Sequence, residues 1–340
     1  MIMKKLLLLM LVALTAVSGA KADTDTWYFY YWDGSSGKST AFTSTGGNTY
    51  SIEGIKIPAN SKVSIYKNNW EITYSGSNVT ISNVEEEYPL AKADQTDASF
   101  GLGYGAYNIT LDTLTHKISF SYRNCNINET STEEPTYADG DYNFYTNRTL
   151  TANKWQTICL PVWFGSEQIN YYFGTGSKVA EFSDADGNTL QFTKVTVMDY
   201  NKPYLVYPTN PKTLSLAGSW VSGFEPIGVE HEGYTFIGTN KQITLSSGEY
   251  YLAGGNLHQQ KSKDTTIKGT RAYFTTGGSS PAREIRFTVD GVVTDIQQVV
   301  MPEEKTTGVY YNLEGQNMGT SYENLPAGLY IINNKKIVKQ

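Results

Sequence analysis

The chain has 340 residues, room for two domains of ordinary size with a small third. Only 18% of residues are charged, while 26 Tyr, 13 Phe and 6 Trp give too much aromatic mass for a disordered chain. The formal charge is −6 and no run of Lys or Arg extends beyond Lys335-Lys336, so the electrostatic footprint of a nucleic-acid-binding protein is missing.

Residues 1–22 read as a secretory signal peptide. Lys4 and Lys5 precede the apolar run Leu6–Val17, and Ser18–Ala22 supplies small residues for cleavage after Ala22, with Ala20 as the second choice. No cysteine stands at the cleavage point, which argues against a lipid anchor. Beyond residue 20 nothing is apolar enough to cross a bilayer as a helix. Removing residues 1–22 takes three lysines and no acid, leaving 24 basic against 33 acidic residues and a charge of −9.

The rest reads as all-β: rich in Tyr, Thr, Gly and Asn, poor in long helical patterns. Residues 23–124 form the first unit. Trp27–Trp32 is strongly strand-like, Asp33–Gly37 turns the chain, and Tyr50, Ile52, Ile55 and Ile57 resume the pattern. Lys62–Tyr66, Val79–Val84, Tyr107–Leu111 and Lys117–Tyr122 add further strands. Closely spaced strands over about 100 residues argue for a β-sandwich.

Residues 125–140, polar and acidic and carrying Pro135, read as a linker. Residues 141–290 read as a second, accessory β-domain, with strand candidates at Lys154–Val162, Lys178–Phe182, Leu190–Val197, Tyr204–Tyr207, Tyr234–Gly238, Glu249–Ala253, Arg271–Thr275 and Glu284–Val289. One short helix is expected at Glu167–Phe173, where Ile169, Tyr172 and Phe173 share a face. Cys125 and Cys159 could pair across a loop of about 35 residues, worth about 4 kcal/mol on the chain-entropy model. Alternatively Cys159, inside Ile158–Val162, is a buried free thiol. His116, His231 and His258 are isolated, so with two cysteines no zinc site of familiar spacing can be assembled and no cofactor is expected. Residues 291–307 read as a tether. The block 308–340 then suggests two hairpins: Val309–Leu313 with Gln316–Met318, and Leu329–Ile332 with Lys335–Val338 across Asn333-Asn334.

No nucleophile elbow, Walker loop or zinc-protease helix is present. Carboxylate neighbours such as Asp184 and Asp186 or Glu85–Glu87 fall in turn-like contexts where a solvated acid suffices, so the chain reads as non-catalytic. The aromatics say more. Period-2 alternation puts Trp27, Phe29 and Tyr31 on one face of the first strand and Tyr28, Tyr30 and Trp32 on the other. A half-buried strand has one core face, so about three large rings are left over. Exposed rings suit sugars, whose C–H faces stack on them while neighbouring polar groups bond the hydroxyls. Trp32, Trp70 and Tyr30 are the expected stacking residues, with Trp27 either a fourth or a core anchor. Lys67, Asn68 and Asn69 are the expected hydroxyl contacts.

The segments Trp27–Asp33, Pro58–Trp70 and Tyr107–Phe120 together resemble the starch-binding-type β-sandwich modules of starch-utilisation-system surface glycan-binding proteins. In such modules a strand–turn Trp and a second Trp following a strand, here Ile65-Tyr66-Lys67, mark the glycan face. Gly308–Gln316 and Leu325–Val338 resemble the C-terminal sorting or surface-association segments of Gram-negative surface proteins, as in the type IX secretion family. The segments Trp155–Pro161, Tyr171–Glu181 and Lys202–Val206 resemble an accessory β-domain of the same surface proteins. The resemblance implies an exported protein, extracellular or on the outer-membrane surface, that binds a polysaccharide or oligosaccharide. The competing expectation is an adhesin or structural protein whose Tyr-rich surfaces contact a host or neighbouring surface protein. A glycoside-processing enzyme is the lesser alternative and would need two opposed carboxylates.

Overall fold

The computed structural model of the chain describes residues 26–32, 34–59, 61–68, 72–75, 87–92, 102–260, 265–276, 285–299, 309–320, 324–332 and 335–339. The signal-like residues 1–22 and the expected strand Val79–Val84 lie outside them. The chain is all-β with one helix among the described residues.

The first unit holds β1 (Trp27–Trp32), β2 (Gly37–Ala41), β3 (Thr43–Gly46), β4 (Thr49–Ile57), β5 (Lys62–Lys67), β6 (Ile72–Ser75), β7 (Glu87–Pro89), β8 (Ala91–Lys92), β9 (Gly105–Asp112) and β10 (Lys117–Tyr122). They form two five-stranded sheets, ordered β2-β1-β5-β6-β8 and β3-β4-β9-β10-β7. Alternation explains the sandwich. Phe29 and Tyr31 of β1, Val63 and Ile65 of β5, Ile109 and Leu111 of β9, and Ile118 and Phe120 of β10 all point between the sheets into one core. Phe29 sits at its centre, edge-on to Phe42 and Phe120 at 6.4 and 6.2 Å.

The chain passes from the first unit to the second with almost no slack. Only Arg123 separates β10 from β11 (Asn124–Ile127), which pairs in parallel with β12 (Gly140–Thr146). The Arg123 guanidinium lies over the Tyr142 ring at 4.1 Å, and Gly54 and Gly140 leave the space it fills. Asn143 fastens the joint. Its Oδ1 accepts from the amides of Ala106 (3.0 Å) and Gly218 (3.1 Å), and its Nδ2 donates to the Ala106 carbonyl (3.0 Å).

The segment 125–140 is therefore not a linker. It begins as a strand and continues as a packed strap. The Ser131 carbonyl accepts from Gln242 N (2.7 Å), and the Tyr137 ring packs edge-on against Tyr142 at 5.6 Å. Glu129, only 7% exposed, takes ion pairs from Lys268 (2.9 Å) and Arg271 (2.7 Å). The acidic composition that suggested a solvated connector includes instead a buried acid, Glu129, that pairs with the partly exposed Lys268 and Arg271.

Further along come β13 (Gln156–Cys159), α1 (Ser166–Phe173), β14 (Lys178–Asp186), β15 (Thr189–Lys194), β16 (Pro203–Tyr207) and β17 (Ser215–Val221). After them follow β18 (Gly228–His231), β19 (Tyr234–Thr239), β20 (Ile243–Thr244), β21 (Tyr250–Ala253), β22 (Asn256–Gln259), β23 (Thr266–Ile267), β24 (Arg271–Thr276), β25 (Arg286–Val289), β26 (Val292–Val293) and β27 (Gln298–Val299). A central sheet, β13-β16-β14-β15-β25-β26, carries apolar residues on both faces. Ile158, Val179, Tyr204 and Val206 pack with β11, β12, β17 and α1, whereas Ala180, Phe182, Leu205 and Phe287 pack against the sheet β18-β19-β24-β21-β22-β27. That is why Ile158–Val162 and Tyr204–Val206 read as continuous apolar runs rather than alternating ones. The helix buries Ile169 and Phe173, four apart on one face, and stops at Gly174, whose φ of 100° suits glycine.

The two thiols do not pair: Cys125 and Cys159 are both free and buried. Cys125 faces the cluster that includes Phe144 and Ile158. Cys159 alternates to the other side of β13, where it packs against Gly238 and its Sγ donates to the Asn201 carbonyl at 3.2 Å. The central sheet stands between the sulfurs.

The expected tether is also shorter than 291–307. β26 pairs with β25, β27 pairs in parallel with β22, and Ile296 joins the core; residues 300–308 lie outside the described ones. The C-terminal block forms both expected hairpins. Tyr311 bridges Asn317, and β28 (Gly328–Ile332) pairs with β29 (Lys335–Lys339) from Ile332 opposite Lys335 outward. Tyr310, Leu325, Tyr330 and Ile332 make a small core of their own.

Candidate functional site

The outward side of β1 is where the sequence places its surplus rings. The strand lies between β2 and β5, so its alternation is fixed from both sides. Trp27, Phe29 and Tyr31 face the core; Tyr28, Tyr30 and Trp32 face away from it. Trp32 is the most open, at 40% exposure. Rings two residues apart on a strand stand about 7 Å from one another, so these three form a row along the sheet.

The neighbouring strands shape that row. Tyr28 lies opposite Tyr66 and stacks on it, ring centroids 4.9 Å apart and planes within 11°. Tyr30 lies opposite Ser39 on β2 and Ser64 on β5, which sets a hydroxyl on each side of the ring. Its phenol end lies across Gly37, and a methyl group built there would overlap it. Gly37 thus leaves room for a flat Tyr30 next to Trp32, its own register partner.

The other expected site residues are placed differently. Trp27, 6% exposed, is a core anchor, with the Lys67 ammonium 5.9 Å from its ring centroid. Lys67 is opposite Trp27 in the register, so it shares that residue's side of the sheet and lies at the far end of β1 from Trp32. Asn68 adopts a φ of 49° and ties β5 to the start of β1: its amide donates to Thr26 O (2.7 Å), and its Oδ1 accepts from Thr26 N (3.0 Å). Asn69 and Trp70 lie outside the described residues. Tyr28 and Tyr66, omitted from the expected site, belong to the row. Parity alone could have found both, since Tyr66 must point away from the core if Ile65 points into it.

A cleft of about 460 Å³ opens where the first unit meets the second, lined by Tyr31, Lys38, Glu53, Lys56 and Asp141 among others. Lys56 also sits over the exposed Tyr104 ring at 5.5 Å, and the exposed Trp220 is the register partner of Asp141. Charges of both signs and two exposed rings therefore meet at this junction.

Among the described residues no three His, Cys, Asp or Glu side chains are grouped to hold a metal ion. Burial pushes both thiols up to about 12, so neither is a thiolate at neutral pH. Asp184 and Asp186, expected in a turn-like context, lie instead in β14 opposite Gln191 and Thr189; both are exposed, and the Asp184 carboxylate accepts from Ala185 N at 2.8 Å. No helix among the described residues is long and apolar enough to cross a membrane. Comparison of the chain with family models, curated proteins and solved structures finds no match.

Proposed function

We propose that the N-terminal sandwich binds a polysaccharide on the row Tyr28–Tyr30–Trp32, and that the protein is a non-catalytic, exported or surface-displayed binder. One observation carries the reading: three rings occupy the solvent side of a strand whose other side already fills the core. Ser39 and Ser64 beside Tyr30 supply the few polar groups that orient a sugar on an apolar platform. The signal-like start and the sorting-like C-terminal block support export.

The test is a glycan array followed by affinity electrophoresis with residues 23–340. Trp32→Ala is expected to weaken retention about tenfold, the effect of losing one aromatic contact worth about 1.4 kcal/mol. Gly37→Ala should weaken it as well, because the new methyl displaces the Tyr30 ring while the core residues of β1 stay in place. Retention of Trp32→Ala and Gly37→Ala equal to the parent on every glycan bound would remove the site from this strand.

The adhesin reading draws on a different feature, the exposed Tyr104, Tyr145 and Trp220 around the joint between the units. A soluble sugar competes with target binding under the first reading and not under the second.

A further inference from the structure

The second unit carries clefts of opposite character. One, of about 700 Å³, is walled by the acids Asp139, Asp199 and Glu225 among others. Another, of about 270 Å³, is lined by Arg148, Thr149, Thr151, Arg271 and the β21–β22 turn at Ala253-Gly254. No acid among the described residues lines this smaller cleft.

The charges behind its wall do not balance. Arg148, Arg271 and Lys268 share one carboxylate, Glu129, which is ion-paired with Lys268 and Arg271 and acts on Arg148 only through space. Arg148 is 3% exposed, and its Nη1 and Nη2 donate to the neutral carbonyls of Thr270 and Thr157. A buried cation held by carbonyls alone is costly unless a counter-ion comes near it. Arg148 acts on the cleft through its charge, which requires no hydrogen bond across the wall.

The donors come from other residues. Arg271, partly exposed, commits Nη1 to Glu129 and to the Gly269 carbonyl, while its Nε and Nη2 make no hydrogen bond among the described residues. The exposed hydroxyls of Thr149 and Thr151 make none either. Gln156, also on the wall, is already engaged by the backbone of Thr151 and Lys154.

Two guanidinium charges and several donors thus face a space with no fixed negative charge. A cation is repelled there, and a neutral sugar leaves the excess charge as it stands. An oxyanion neutralises it and accepts from the Arg271 fork and the hydroxyls. We propose that this cleft binds a small oxyanion, a carboxylate or sulfate group, at a site separate from the aromatic row of the first unit. A free ion and the acid group of a glycan both carry that chemistry.

The experiment is an NMR titration of residues 23–340 with sulfate, glucuronate and glucose, at an ionic strength held constant with chloride. Shifts are read at the amides of Thr149, Thr151 and Gly254, so that binding at the aromatic row does not register. Sulfate and glucuronate should bind saturably, and glucose at least tenfold more weakly than glucuronate. Tighter binding of glucuronate than of sulfate assigns the group to an acidic glycan; the reverse assigns it to a free ion. Thr149→Glu, at an exposed position, places a tethered carboxylate at the wall and should weaken both anions at least tenfold without lowering the melting temperature. Thr149→Gln, equal in size and uncharged, should bind within about twofold of the parent. No saturable shift with either anion overturns the proposal. Glucose binding as tightly as glucuronate at these amides overturns it too, as does parent-like binding to Thr149→Glu or an equal loss in both variants.

Discussion

Glu129→Ala is expected to cost about 3–5 kcal/mol at pH 7, the range for removing one partner from a buried ion pair. The loss is large because of what remains. Arg271 and Lys268 lose the carboxylate they share, and Arg148, almost wholly buried, donates only to the backbone carbonyls of Thr157 and Thr270. Burial, and then the charge of Arg271, lowers the Arg148 guanidinium to about 9, while Glu129 pulls the other way. Without Glu129, Arg148 and Arg271 face each other uncompensated; Lys268, half exposed, can turn to water. The measurement is urea unfolding at pH 7, and a midpoint within error of the parent would show that the cluster is held by packing alone.

The same residue sets an acid limit. Burial pushes the Glu129 carboxyl up, but the hydrogen bonds and charges of Lys268 and Arg271 outweigh it and leave it below its ordinary 4.5. A carboxylate lowered by folding contributes stability that is fully present above its unfolded value and is lost as pH falls through the folded one. Melting temperature should therefore drop below about pH 4.5 in the parent, and Glu129→Gln should flatten that part of the profile.

Asn143→Leu should cost about 3 kcal/mol and split unfolding into two transitions. The substitution keeps the bulk of the side chain but strips the amides of Ala106 and Gly218 of their acceptor, and a buried orphaned N–H costs about 1–3 kcal/mol. The Ala106 carbonyl loses less, since it still accepts from Arg123 N at 3.0 Å. Asn143→Asp, which retains the acceptor, should be milder. Because the bonds between Asn143 and Ala106 join the second unit to the first, their loss uncouples the two cores, visible as separate steps in tryptophan fluorescence and far-UV circular dichroism. A single cooperative transition in Asn143→Leu would locate the coupling in Arg123 and Tyr142 instead.

Strand parity made the first unit legible. One alternation in Trp27–Trp32 correctly separates core from solvent rings, and the hairpins near the C-terminus follow from their turns. What the sequence hid has physical causes. β17 (Ser215–Val221) carries Gly218 and two serines, is not among the expected strands, and becomes one by pairing with Tyr142 and Phe144. Glu129 and Glu134 lie in one polar stretch, yet Glu129 is buried because Lys268 and Arg271, about 140 residues on, need it. Asn68 is expected to contact ligand hydroxyls, and what the sequence does not show is that its Oδ1 accepts from Thr26 N and ties β5 to the start of β1. Long-range pairing of this kind leaves no local periodicity to read. The acidic cleft is equally silent, since Asp139, Asp199 and Glu225 come from three separate loops.

The single-residue passage from β10 to β11 has a mechanical consequence. A protein held to a surface at its C-terminal end and gripping a polymer at its other end is under tension whenever the fluid moves. Under the proposed function that tension would enter β11, whose residues Asn124–Ile127 lie parallel to Asn143–Thr146. Load along such a pair strains its cross-links together, in shear, instead of opening them one after another. The joint should thus behave as a stiff coupling, passing force into the second unit before it yields.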